Sequence, residues 1–267
     1  MDTAYIPFCG MPPLPAGLWH RWTLQPVLLV ALAAWLWFSL PGLRRAGTPG
    51  RKACYVAGWG LAALALVSPL CALSVALFSA RASQHLLLLA VAAPLLALGL
   101  PTVAGRWHAW LLRRLNAPGG GAISALVFAA MLWSWHLPVL YDATFRSDLA
   151  YWAMHLTLLA SALALWLQLL QPGGTALLAR GLAGFFTFMQ MGLLGALLTF
   201  SPTLLYESHL ATTLAWGLSP LADQQLGGMI MWIPGCGVVL LAMLYGILSA
   251  IREATRATVV APDVPQA

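Results

Sequence analysis

The sequence is short of charge. Of 267 residues only 7% are Asp, Glu, Lys or Arg, where a soluble globular domain carries about a quarter. That deficit excludes a chain held in water by a charged surface. Acidic and basic residues are absent from the long apolar stretches except at their ends, which disfavours a proton-coupled transporter, since such proteins relay protons through buried ionisable groups. No glycine-rich phosphate cradle and no GxSxG nucleophile motif occurs, so no catalytic residue is nominated and the chain reads as a non-enzyme. Internal repeats and low-complexity tracts are also missing. No Lys or Arg precedes Arg21, so the basic n-region of a cleaved secretory signal is lacking and the first span is expected to be retained. Four cysteines do not make a disulfide framework. Cys9 and Cys71 fall on one side and could pair or bind a soft metal, whereas Cys54 is on the other side and Cys236 is deep in the last span.

What is present is oil. The chain is 61% hydrophobic, with mean hydropathy +0.84. Runs of about 20 residues, the length that crosses a hydrocarbon core, can be drawn near 24–40, 53–70, 83–103, 121–137, 150–170, 181–201 and 226–250. Backbone groups in lipid must pair within the segment, and the runs are continuous rather than alternating, so the spans are helices. The expected fold is all-α: a polytopic membrane protein, a seven-transmembrane-helix bundle over 24–250, with an outer tail at 1–23 and a cytoplasmic tail at 251–267. Basic residues set the orientation. Arg44, Arg45, Arg51, Lys52, Arg106, Arg113, Arg114, Arg180, Arg252 and Arg256 fall on one side, and only Arg21, Arg81 and Arg146 on the other. The N-terminus is therefore placed outside and the C-terminus inside. The net charge of +6 is an orientation signal and implies no nucleic-acid partner.

Residues 133–159, WSWHLPVLYDATFRSDLAYWAMHLTLL, organise the rest. Pro138 ends one apolar helix, and Ser147 or Asp148 caps the next. His136 then sits at the last turn of the first helix, and His155 about 10 Å into the second at about 1.5 Å per residue. The third span begins at Arg81-Ala82-Ser83-Gln84-His85 and carries Pro94, which should kink it. After Ser68-Pro69 a short apolar segment to Ala80 is expected as an interfacial helix. Gly58 and Ala62 form a small-residue packing face, and the mid-depth amide of Gln190 turns its helix inward in search of a partner. His20, His85, His136, His155 and His209 all fall on the outer side, and His108 on the inner. A lone histidine near a membrane-helix end is commonly interfacial. Three from neighbouring spans at one depth, His85, His136 and His155, are the arrangement of a three-coordinate metal site suited to copper, zinc or iron. Met154 and Met229 are the thioethers retained as a soft fourth ligand. Met189 with Met191, and Met229 with Met231, are two apart and point about 200° from each other, so most methionines read as core filler. Asp142, Asp223 and Gln224 are candidates to orient an imidazole from behind.

SQHLLLLAVAAPLLALGLP, WHLPVLYDA, MHLTLL, GALLTFSPTLLY and ADQQLGGMIMWIPG, in that order over roughly 55–250, resemble the multi-span CtaG family of cytochrome c oxidase assembly factors. The resemblance implies a multi-pass protein of the bacterial inner membrane that helps copper reach a haem-copper oxidase, with oxidase subunits as partners. Its matching residues here are His85, His136, His155 and Asp223-Gln224-Gln225. In the family the third span opens His-Met-x-Gln-His; here Arg81 and Ala82 take the first two places, which removes one potential ligand. Two rival readings are a b-type haem protein using two of the same histidines as axial ligands, and a metal-free scaffold that binds oxidase subunits through its outer loops.

Overall fold

A computed structural model of the protein describes residues 5–45, 48–100, 113, 120–170 and 177–260. The described residues form helices and loops, with no strand among them. The main helices are α1 (Pro26–Arg45), α2 (Pro49–Val67), α3 (Pro69–Ala76), α4 (Phe78–Leu100), α5 (Gly120–Trp135), α6 (Pro138–Ala143), α7 (Asp148–Leu169), α8 (Leu177–Phe200), α9 (Pro220–Ile230) and α10 (Cys236–Val260). Five spans are long and apolar enough to cross a membrane: Pro26–Arg44, Phe78–Leu100, Asp148–Leu169, Leu177–Phe200 and Pro220–Ser249, the last combining α9 and α10. Counting α2 and α3 as one span bent by 50° makes six, and α5 is apolar but shorter. This is a multi-pass membrane protein.

Local sequence sets the helix starts. Proline opens α1, α2, α3, α6 and α9, where its missing N–H would be unpaired anyway and its fixed φ suits the first turn. Side-chain oxygens of Ser68, Ser147 and Ser219 accept from Leu70, Ala150 and Ala222 at the starts of α3, α7 and α9, so of the two cap candidates before α7 it is Ser147 that caps. Where helices touch closely, glycine makes the room. A Cβ at Gly58 would lie 2.8 Å from the Leu96 backbone nitrogen, and one at Gly228 would lie 2.6 Å from that of Thr199. The small-residue face expected on α2 is thus the seat of α4, and α9 lies directly on α8.

Prolines inside two spans do more than kink them. The turn Leu87–Ala92 of α4, just before Pro94, is π-helical, as is Met231–Gly235 around Pro234 between α9 and α10. A π turn shifts backbone pairing by one residue and leaves a carbonyl out of register. At Leu89 that carbonyl accepts from the indole nitrogen of Trp166, 2.7 Å away.

Several expectations need correction. The first helix continues through Pro41 to Arg45, because a membrane span tolerates the single lost hydrogen bond. The third span starts at Phe78, before the expected 83, which puts His85 two turns inside it. Helix α3 is no surface helix: Cys71, Ser74 and Ala76 are fully buried, with Cys71 bonded to Cys9 of the N-terminal tail and the Ala76 end covered by Trp216 and Leu218. That bond settles the alternative left open for these two cysteines in favour of pairing. Arg106, His108 and Arg114 lie outside the described residues.

Candidate functional site

Helix α4 supplies His85, the end of α5 supplies His136, and α7 supplies His155. The rings of His85 and His155 meet edge to face with centroids 5.2 Å apart. On the other side of His85 is a cavity of about 40 Å³, lined by His85, His136, Met191, Met231, Leu132 and Trp166 among others. His85 is therefore the hinge of the arrangement. His136 and His155 do not touch the same wall: His155 packs on Tyr151, ring centroids 4.2 Å apart. Among the described residues no three His, Cys, Asp or Glu side chains converge closely enough to hold one ion.

Backbone carbonyls orient two of the rings. Nδ1 of His136 donates to the Leu132 carbonyl at 2.6 Å, and Nδ1 of His155 donates to the Tyr151 carbonyl at 3.0 Å. A carbonyl can only accept, so the proton sits on Nδ1 and the Nε2 lone pair is free in each neutral ring. Nε2 of His85 and Nε2 of His155 are both buried without a protein hydrogen-bond partner. Such orphaned atoms are uncommon in native interiors and call for an explanation.

The polar residues expected behind the imidazoles are engaged elsewhere. Asp223, 0% exposed, accepts from the Phe78 and Ser79 backbone nitrogens at 2.6 and 3.2 Å and from the Ser79 hydroxyl. It caps α4 from the first turn of α9, so one carboxylate faces two helix N-termini. Gln224 bridges the Leu205 nitrogen and the Thr203 carbonyl, and Gln225 reaches the Ser201 carbonyl. The DQQ run thus closes the α8–α9 loop onto α4. Asp142 accepts from Ser208, and its neighbour Tyr141 shares a 2.6 Å hydrogen bond with His209. Gln190 finds the partner its burial demanded in the Trp133 indole, 3.0 Å away.

The methionines sort differently from expectation. Met229 is 40% exposed, and Met154 is fully buried on α7 without lining the cavity. Met191 and Met231, passed over in sequence, put thioethers beside His85 and His136. The available signal was Met231 at the start of MWIPG, where the proline resets helical phase. A Cβ at Gly235 would come within 3.0 Å of the Met191 methyl, so that glycine makes space for the thioether.

One turn before His85, Arg81 is 1% exposed. Its guanidinium donates to the Thr144 hydroxyl at 2.6 Å and lies 4.1 Å from the Phe145 ring centre. Aromatic faces and a hydroxyl stabilise this buried cation, and among the described residues no carboxylate pairs with it.

A family model described as cytochrome c oxidase caa3 assembly factor, Caa3_CtaG, matches residues 22–253. Neither the curated proteins nor the solved structures give a match.

Proposed function

The chain belongs to the family of cytochrome c oxidase caa3 assembly factors, and from that premise we propose that it assists copper delivery to the oxidase in a bacterial inner membrane. Copper is cargo, held in transit at His85, His136 and His155 and passed to an oxidase subunit. The observation that carries this reading is the His85–His155 contact, with both Nε2 atoms buried and unpartnered. Leaving a buried acceptor unpaired costs about 1–3 kcal/mol, and a soft cation restores what water would have supplied. Cu(I) accepts imidazole and thioether, the donors His85 and His136 bring to the cavity with Met191 and Met231. His85 is common to both sides, so two low-coordinate stations adjoin through one ring. The charge of Arg81, one turn away, opposes a second cation and weakens binding. Weak binding suits a carrier that must release its cargo.

The topology proposed with this function is seven spans, with the N-terminus outside and the C-terminus in the cytoplasm. Its support is the distribution of basic residues and a disulfide at the Cys9 end, since disulfides persist in oxidising compartments. The haem alternative has less support at His85 and His155, because a porphyrin must pass between its axial ligands and these two rings are in contact.

Anaerobic Cu(I) titration of the detergent-purified protein against a competing chelator tests the proposal, beside the His85, His136 and His155 triple Ala variant. One equivalent bound by wild type and none by the variant supports copper delivery. Binding by neither refutes it and leaves the scaffold reading.

A further inference from the structure

We infer that Cys9–Cys71 is a thiol–disulfide exchange site, and that its reduction by a thioredoxin-like dithiol protein unseats the N-terminal tail and opens the histidine pair from outside. The purpose of such a gate rests on the copper reading. Its chemistry does not.

A column of rings leads from the tail to the site. Phe8 stacks on Tyr151 at 4.9 Å and meets Trp152 edge-on at 5.0 Å. Tyr151 lies 4.2 Å from His155, which lies 5.2 Å from His85. The disulfide closes over the same tyrosine, whose hydroxyl lies 3.4 Å from Cys9 Sγ and 3.5 Å from Cys71 Sγ. Beyond Phe8, Cys9, Pro13 and Thr23, burial holds the tail poorly, because Tyr5, Ile6, Met11 and Leu14 are all exposed. Apart from the sulfur bridge, the tail is tied by the Tyr5 hydroxyl donating to Asp148, by the Trp216 indole donating to the Pro13 carbonyl and, at its end, by the Thr23 N–H donating to the Val67 carbonyl. Phe8 and the bridge together hold the segment that covers Tyr151 and the histidines beneath it, and the bridge is the restraint that a reductant removes.

The two sulfurs differ in access. Cys9, though only 6% exposed, borders an open surface cavity of about 350 Å³ with Gly10, Trp22, Thr23 and Gln25, whereas Cys71 is 0% exposed. Gly10 has φ +87° and would have no atom within 4 Å of an added Cβ, so the turn next to Cys9 faces open space. The first thiolate of the partner attacks Cys9 Sγ, the Cys9–Cys71 bond breaks, and Cys71 leaves as a thiolate onto which the Tyr151 hydroxyl can donate. A stabilised leaving thiolate speeds exchange. The second partner thiol, as thiolate, then attacks its own mixed disulfide and expels Cys9. Two electrons and two protons pass to Cys9 and Cys71, and the partner dithiol becomes a disulfide. The reverse reaction re-clasps the tail.

The test uses the full oxidised chain in lipid nanodiscs and a thioredoxin whose resolving cysteine is replaced by serine, which traps the mixed disulfide. Peptide mass spectrometry should find the adduct at Cys9 and not at Cys71. In copper-free samples, diethyl pyrocarbonate labelling of His155 should rise roughly ten-fold after reduction, as for a locally opened segment. Phe8→Ala, which keeps the bridge, should raise labelling without any reductant. No adduct, under conditions where the urea-unfolded chain is trapped, overturns the exchange site. An adduct with unchanged His155 labelling overturns the gate. Exchange and exposure without Cu(I) binding would refute the copper reading and leave this inference standing, whereas Cu(I) binding without exchange would do the reverse.

Discussion

Asp223 separates a structural from a metal-side role, because its carboxylate reaches only the start of α4. Replacing it with Ala orphans the Phe78 and Ser79 N–H groups in a fully buried site. Each orphaned donor costs about 1–3 kcal/mol, and partial water entry recovers some of this, so about 3 kcal/mol of stability should be lost. Asn retains one acceptor oxygen and loses charge assistance and the favourable alignment with two helix N-termini, for about 1–1.5 kcal/mol. For a chain of this size each kcal/mol moves the midpoint by about 2–4 °C. Thermal unfolding in detergent should therefore fall by about 6–12 °C for Asp223→Ala and about 2–6 °C for Asp223→Asn. Cu(I) stoichiometry of the folded Asn variant should match wild type. An Ala variant melting with wild type would refute the capping argument, and an Asn variant that melts normally yet binds no copper would restore Asp223 to the metal side.

His85→Ala should abolish Cu(I) binding, whereas His136→Ala and His155→Ala should each weaken it about ten-fold, or 1.4 kcal/mol, in the same chelator competition. Met191→Leu and Met231→Leu should lower Cu(I) affinity several-fold while Met154→Leu and Met229→Leu leave it unchanged, and the opposite ranking would return the thioether role to the latter pair. Gly228→Ala, whose new methyl meets the Thr199 and Gly195 backbones at 2.6 and 2.8 Å, should cost about 1–3 kcal/mol, read as a lower detergent melting temperature. Burial, and then the charge of Arg81, hold the His209 imidazole down at about 3, below its usual 6.5. Its stabilising effect is complete above pH 6.5 and shrinks as pH falls toward 3, so acidifying to pH 5 should cost about 2 kcal/mol, a dependence that His209→Gln should remove.

Much of the architecture was legible because lipid imposes one rule on every residue of a span. Long uncharged runs marked the helices, Pro138 and Ser147 marked the break between α5 and α7, and Gly58 with Ala62 marked the seat of α4. Gln190 announced a partner because a buried amide needs one. Less legible were the jobs of short polar groups, since Asp223 and Gln224 look alike in sequence whether they face an imidazole or the start of another helix. Only the packing of α9 on α4 decides that. The site itself was half legible. Histidines are rare enough in oil to attract notice, but which of them meet depends on the packing order of the spans. The methionines were weighed on two-residue spacing, which says that Met229 and Met231 oppose each other and leaves open which of them faces the histidines.

The π turn at Met231–Gly235 changes how faces must be read beyond Pro234. Eight residues of regular α-helix advance about 800°, leaving Met231 and Val239 roughly 80° apart around the axis. One surplus residue in the wider turn subtracts about 100°, which brings the pair to within about 20°. Both line the cavity, whereas uninterrupted α spacing would nominate Val238, seven residues on. The widened turn is thus a phase slip of one residue: the span is two helices cut to different registers and spliced at Pro234. A helical wheel drawn across that splice assigns every side chain beyond it to the wrong neighbour, and the same holds across Leu87–Ala92. For proteins built this way, faces are best read outward from each proline.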